Sequence, residues 1–359
     1  MLLVINKISK NPLGGREALD KNIYQTLREL SSTMNISLEV IELDKNNSNN
    51  SIFSKFLNLI GFIDGITKSS VSEIIYEIKK NNHQSIFFAG SNFGKAVKKI
   101  KRTFPQIEVF SFFHNCEYEF FKQRFKNHPS LKSFLVMFVN FIVEKQACKF
   151  SSKIIALNQR DLDNLSKHFT FNESHIVPMA IDEEIQKAQS LEPSMNDYLL
   201  FVGGDFYGNI EGINWFVKEV MPALEDDLVI VGKGMEKFKE IFSSSNIHVF
   251  GEQECLTSFY QKARLVIAPI FSGSGMKTKV AEALKFGKKI AGTPEAFIGY
   301  EAFINEIGWE CKSASDFIDL LTLMSQKNFK ESEGKLKLIF EENYSLSSFK
   351  RNMQIALSS

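Results

Sequence analysis

Short apolar runs alternate along the chain with stretches whose apolar residues recur every three or four positions, and the alternation occurs in two successive blocks. In the first block Leu2–Ile8, Leu38–Leu43, Ser85–Ala89, Glu108–Phe113, Lys153–Leu157 and His175–Pro178 read as strands. Between them Arg16–Ser32, Val71–Asn81, Phe93–Thr103, Ser130–Phe150 and Arg160–His168 have helical spacing. Strand and helix in alternation predict a parallel sheet covered on both faces. The second block repeats the design. Strands are expected at Tyr198–Val202, Leu228–Val231, Ile247–Phe250, Leu265–Ala268 and Lys288–Ala291. Helices are expected at Ile210–Ala223, Met235–Phe242, Leu256–Lys262, Lys277–Phe286 and Ala314–Gln326, with a further segment around Glu301–Asn305. The fold class is therefore α/β, with two Rossmann-like doubly wound domains. Such sheets bind ligands at the carboxyl ends of their strands, so the two are expected to face each other across a cleft.

Two polar stretches interrupt the pattern. Lys45–Ser51 reads as a surface loop, and residues 184–196, which contain Pro193, read as a linker between domains 1–183 and 197–344. The last helix, about residues 345–359, is expected to join the N-terminal domain. At 359 residues each domain is long enough to bury its own core, and 34 Phe make that core aromatic.

The net charge of +1 conceals a division. Residues 1–182 hold 24 Lys/Arg against 17 Asp/Glu, whereas 183–359 hold 19 against 25. The basic half includes Lys95, Lys98, Lys99, Lys101 and Arg102, followed by Phe120-Phe121-Lys122-Gln123-Arg124-Phe125-Lys126. With the apolar segments Phe53–Ile63 and Phe134–Val143 in the same half, this band fits an anionic membrane surface better than nucleic acid, for which no motif is present. Helices also carry solvated lysines as a matter of course. The run Phe134–Val143 is too short to span a bilayer, and the first residues are too briefly apolar for a signal peptide. The four cysteines, widely spaced and without zinc-ligand spacing, read as reduced core residues of a cytoplasmic protein, and no metal site is expected.

The strongest chemical pattern is Pro269-Ile270-Phe271-Ser272-Gly273-Ser274-Gly275-Met276-Lys277-Thr278-Lys279-Val280-Ala281-Glu282, a strand end, a glycine turn and a helix start. Backbone N–H groups of Ser274, Gly275 and Met276 at a helix N-terminus suit an anion. Two lysines, Lys277 and Lys279, stand where the helix dipole disfavours cations, which points to a bound polyanion. Solvated surface lysines are the plain alternative. Glu282 can accept two sugar hydroxyls from the same helix. A second glycine turn, Gly14-Gly15, follows the first strand and allows close approach of a ligand to the backbone. It is neither the dinucleotide fingerprint nor a phosphate loop. His114 ends a buried strand, with Asn115 and Glu117 close by.

Taken in order, these fragments make the chain resemble a retaining GT-B glycosyltransferase of family 4 over nearly its whole length. The C-terminal half carries most of the likeness: Phe201-Val202-Gly203-Gly204, Asn209, Trp215-Phe216, Pro222, Val229-Ile230-Val231-Gly232-Lys233-Gly234, Gly251, Ala263 to Pro269, and Lys279 to Leu284 with Gly287 and Thr293. The N-terminal half adds Gly14-Gly15, Phe113-His114-Asn115, Ile155 to Asn158 and Val177 to Asp182.

The resemblance implies a nucleotide-diphosphate sugar, with UDP or GDP as nucleotide, held by the C-terminal domain through Gly203, Gly204, Gly273, Ser274, Gly275, Met276, Thr278 and Glu282. It places Glu282 at the ribose, Gly14 and Gly15 against the diphosphate and acceptor, and His114 near the transferred sugar. The acceptor would be a glycan or lipid-linked glycan in bacterial surface polysaccharide assembly, with no cofactor and no nucleic acid. The enzyme would be cytoplasmic or peripheral on the inner membrane face. Two positions depart from the family: Ser274 stands where its first motif glutamate belongs, and Gly203-Gly204-Asp205-Phe206 lacks its Arg and Lys. Lys277 and Lys279 are expected to supply that missing positive charge. A nucleotide-sugar epimerase on the same fold, or a non-catalytic partner of another transferase, are the alternatives.

Overall fold

The computed structural model describes residues 1–9, 15–34, 36–44, 58–185, 195–242, 244–273, 275–326 and 333–358. The expected loop 45–51, most of the expected linker, and both Gly14 and Ser274 lie outside the described residues. The chain divides into two compact units, Met1–Met179 with Phe349–Ser359, and Ala180–Ser348.

The first unit contains six strands, β1 (Leu2–Asn6), β2 (Glu39–Leu43), β3 (Ser85–Ala89), β4 (Glu108–Phe113), β5 (Lys153–Ala156) and β6 (Glu173–Ile176). Its described helices are α1 (Gly15–Thr33), α2 (Lys68–Asn81), α3 (Gly94–Thr103), α4 (Glu117–Asn127), α5 (Leu131–Phe150) and α6 (Gln159–His168). All strand pairs are parallel, in the order β2-β1-β3-β4-β5-β6. The strands β1 and β5 are buried along their whole length, which is why Leu2–Ile5 and Ile154–Ala156 read as apolar runs. The edge strand β6 has no buried residue and mixes charge with apolar side chains. Phe87, Phe110 and Phe112 fill the core, and Phe349 packs its ring 6.4 Å from that of Phe112.

The second unit contains β7 (Tyr198–Val202), β8 (Leu228–Val231), β9 (Ile247–Phe250), β10 (Ala263–Ala268), β11 (Ile290–Gly292) and β12 (Gly308–Glu310). These form a parallel sheet ordered β12-β11-β10-β7-β8-β9. Its described helices are α7 (Tyr207–Glu219), α8 (Thr257–Lys262), α9 (Thr278–Lys285), α10 (Ile304–Ile307), α11 (Ala314–Gln326) and α12 (Glu333–Asn343). The last helix, α13 (Leu346–Ser358), ends the chain.

Four elements differ from expectation. Met235–Phe242 is only a short 3-10 turn over Met235–Phe238, preceded by Gly234 at φ +80°, a conformation glycine adopts without strain. The helix α4 was not expected, because Glu117–Asn127 shows no apolar period and buries none of its residues. The strand β12 and helix α12 were likewise missed. No helix among the described residues is long and apolar enough to cross a membrane.

In both sheets the strand order reverses once, between β1 and β3 in the first and between β7 and β10 in the second. A crevice opens outside the carboxyl ends of the strands at such a reversal, where neighbouring connections leave on opposite faces. Those two places carry the residues of interest.

Candidate functional site

At the reversal of the second sheet, β7 ends in Gly203-Gly204 and β10 in the loop from Pro269 to Lys277. The helix α7 closes the frame. Its Gly212 is held so near the loop that a Cβ there would come 1.7 Å from the Pro269 carbonyl oxygen, so only glycine permits this approach. One turn earlier on α7, Asn209 donates from Nδ2 to the Gly204 carbonyl at 3.0 Å and accepts from Lys279 Nζ at 2.9 Å.

The two lysines differ in setting. Lys279, in the first turn of α9, is only 6% exposed, with its Nζ 4.2 Å from the centroid of the Phe201 ring. Burial pushes its ammonium down to about 7, with Lys277 adding to the shift and Glu282 opposing it. Lys277 precedes α9, and its Nζ is taken up by the Glu295 carboxylate at 3.0 Å and the Gly275 carbonyl at 2.9 Å. Thr278 is the first residue of α9. Gly273 and Gly275 adopt φ of +143° and +67°, and Met276 is buried beside them.

Glu282, one turn beyond Lys279, is half-buried and accepts a hydrogen bond at Oε2 from the Tyr260 hydroxyl at 2.7 Å. Burial raises its carboxyl above the usual range, with the Tyr260 bond and Lys279 opposing. Thr293, on the loop after β11, ties down the start of the Pro269 loop: its Oγ1 accepts from the Ile270 N–H at 3.1 Å and donates to the Ile270 carbonyl. Asn209, Tyr260 and Glu295 were not among the expected site residues. None stands in a glycine motif, and only the packing brings each to the lysines or Glu282.

At the reversal of the first sheet, His114 follows β4 and its Nε2 lies 2.9 Å from Oδ1 of the buried Asp20 on α1. Gly15 is the first residue of the same helix, with open space where a Cβ would stand. Three asparagines lie at neighbouring strand ends: Asn6 as the last residue of β1, Asn92 after β3 and Asn115 after β4. All are at least nine-tenths buried, yet both amide atoms of Asn6 and the Oδ1 of Asn92 and of Asn115 have no hydrogen-bond partner among the described residues. Buried amide groups without partners are uncommon and cost about 1–3 kcal/mol each. Among the described residues no group of three or more His, Cys, Asp or Glu is placed to hold a metal ion.

Residues 196–318 match the family model described as glycosyl transferases group 1. The match lies within the second unit. Solved structures give the same architecture for the whole chain. Sucrose-phosphate synthase from Thermosynechococcus elongatus superposes with a TM-score of 0.69 at 12% identity, covering 100% of both chains. The lipopolysaccharide outer core galactosyltransferase WaaB in its apo form gives 0.67 at 12% identity, over 99% of each chain. HepE of Anabaena in complex with UDP and glucose gives 0.66 at 11% identity, over 100% of this chain and 99% of that one. No curated protein sequence matches the chain. At these identities the likeness shows the fold, which is GT-B.

Proposed function

We propose that the protein transfers a sugar from a nucleotide-diphosphate donor to a glycan or lipid-linked acceptor with retention of anomeric configuration, in the assembly of bacterial surface polysaccharide. The observation that carries this reading is Lys279, a desolvated cation at the strand-order reversal of a glycosyl transferase domain. A buried ammonium with a value near 7 is an unfavourable arrangement that a diphosphate relieves by supplying the opposite charge. The Gly275 and Met276 backbone N–H groups are assigned to the diphosphate, and Glu282, one turn along from Lys279, to the ribose. Lys277, already paired with Glu295, acts on the diphosphate through the field it adds rather than by direct contact.

Retention is assigned through an oxocarbenium-like state whose barrier falls as charge on the departing diphosphate is stabilised, with no protein nucleophile. His114, held by Asp20, is assigned to the transferred sugar. The asparagines suit the hydroxyls of a sugar. Three unpaired carbonyl oxygens call for hydrogen-bond donors, which hydroxyl groups bring and anions do not. The basic first half supports a peripheral position on an anionic membrane, and no cofactor is assigned.

The test is binding and turnover together. Thermal shift and calorimetry against UDP, GDP, ADP, CMP and their sugars are run on the wild type and Lys279→Ala; UDP comes first because HepE is solved with UDP and UDP-glucose. Stabilisation by one nucleoside diphosphate in the wild type alone supports the transferase reading. No binding by any of them favours a non-catalytic partner of another transferase, the reading that Ser274 in place of a carboxylate supports. Conversion of a bound nucleotide sugar without acceptor favours an epimerase.

A further inference from the structure

From Glu117 to Phe138 the chain passes through the whole of α4, a short turn and the first two turns of α5 without burying one side chain. That stretch is far from polar. It holds Phe120, Phe121, Phe125, Leu131, Phe134, Leu135, Val136, Met137 and Phe138, of which Leu131 is 75%, Phe134 42% and Phe138 45% exposed. The rings form a continuous ladder: Phe125 lies 5.8 Å from Phe134, and Phe134 stacks on Phe138 at 6.3 Å.

Charge is distributed around the ladder in one sense. Residues 120–138 include Lys122, Arg124, Lys126 and Lys132 and no carboxylate. The acidic residues of α4 sit at its start, where Glu117 meets Arg16 and Glu119 pairs with Lys122 and His168. The base of the hairpin is well anchored. The Glu144 carboxylate on α5 accepts the N–H groups of Glu117 and Tyr118, each at 2.9 Å, and so caps α4, whose own N-cap Cys116 makes no side-chain cap bond. The result is a rigidly held pair of helices whose free end is apolar at the ladder and cationic around it.

We propose that the free end of the α4–α5 hairpin inserts into the headgroup region of an anionic lipid bilayer, with Leu131, Phe134 and Phe138 as the apolar anchors and Arg124, Lys126 and Lys132 on the lipid phosphates. Exposed aromatic and leucine side chains beside lysine and arginine are what an interfacial helix needs, since apolar burial and attraction to anionic lipid add. A protein groove of matching shape would have to be both apolar and acidic. A second copy of this chain is disfavoured, because the hairpin would bring its own cations against one another. The proposal extends the transferase reading by placing the sheet-edge site near a lipid-linked acceptor. It is read without donor or acceptor, so either can fail alone.

The full chain is mixed with vesicles of phosphatidylcholine alone or with phosphatidylglycerol, and binding is followed by flotation. Binding to the anionic vesicles that falls by about 10-fold or more in Leu131→Asp/Phe134→Asp, and separately in Arg124→Ser/Lys126→Ser/Lys132→Ser, is the expected result. Retained melting temperature and nucleotide binding show that these variants fold. A Phe134→Trp variant adds a depth readout: brominated acyl chains should quench it beyond the quenching seen in the wild type. No binding to anionic vesicles, equal binding to neutral ones, unchanged binding in both sets of variants, or a concentration-dependent dimer that Phe134→Asp abolishes would each overturn the proposal.

Discussion

His114 and Asp20 are 94 positions apart in the chain and 2.9 Å apart at Nε2 and Oδ1. The carboxylate on α1 holds the imidazole at the end of β4 in one orientation and settles which ring nitrogen faces it. The other ring nitrogen is thereby directed by the fold rather than by solvent. Asp20→Asn keeps the size of the side chain and removes its charge. It is expected to lower kcat by on the order of 10²-fold while the donor KM stays within about 3-fold. A fall in melting temperature with unchanged kcat would assign the pair to stability alone.

Lys279 supplies a pH signature. Its value in the ligand-free protein, about 7, lies far below the ordinary 10.5, and a diphosphate brought beside it must raise it again. Binding of a nucleotide sugar at pH 8 is therefore expected to take up a proton, with affinity greatest below pH 7 and declining above it. Calorimetry in buffers of different ionisation enthalpy measures the uptake directly. Lys279→Met should abolish it, and zero uptake in the wild type would remove the diphosphate from this lysine.

Glu144 makes the stability of the first unit fall as pH rises. Burial lifts its carboxyl from 4.5 to about 8, against the pull of the two α4 N–H groups it accepts. The folded value lies above the unfolded one, so the associated stability is complete below pH 4.5 and is lost as pH rises through 8. Measured from pH 5 to pH 9, the melting temperature of the wild type should fall relative to that of Glu144→Gln, which cannot ionise, the loss in the wild type amounting to a few kcal/mol. A difference that stays constant with pH would show that Glu144 is ionised throughout.

Asn6 is expected to trade stability for binding. Its two unpartnered buried amide atoms cost about 1–3 kcal/mol each, and Asn6→Leu removes both while keeping the branched shape and the number of side-chain heavy atoms. The variant should melt higher than the wild type and show a raised KM for the sugar acceptor, with the donor KM unchanged. A lower melting temperature with normal acceptor kinetics would make Asn6 a structural residue.

The architecture was legible in the sequence because strands buried on both faces must be apolar without interruption. Leu2–Ile5, Tyr198–Val202 and Leu228–Val231 are such runs, and the structure finds strands there. The Gly273–Lys277 loop could be read too, since positive φ leaves its mark as glycine. What escaped was local structure formed without a periodic apolar face. The helix α4 is capped by a carboxylate from α5 rather than by its own N-cap, so neither its start nor its face is marked in its sequence.

By itself the sequence determined the two parallel sheets, the glycine turns at the strand ends and the positions of Lys277, Lys279, Glu282 and His114 along them. Only the tertiary structure decided what those side chains meet: Asn209 and Phe201 for Lys279, Glu295 for Lys277, Tyr260 for Glu282 and Asp20 for His114. The physical reason is range. Strand and turn preferences act between residues a few positions apart, whereas desolvation and ion pairing depend on which remote segment lies within a few ångströms. For Lys279, that difference turns a helix-start lysine into a buried cation at the carboxyl edge of the sheet.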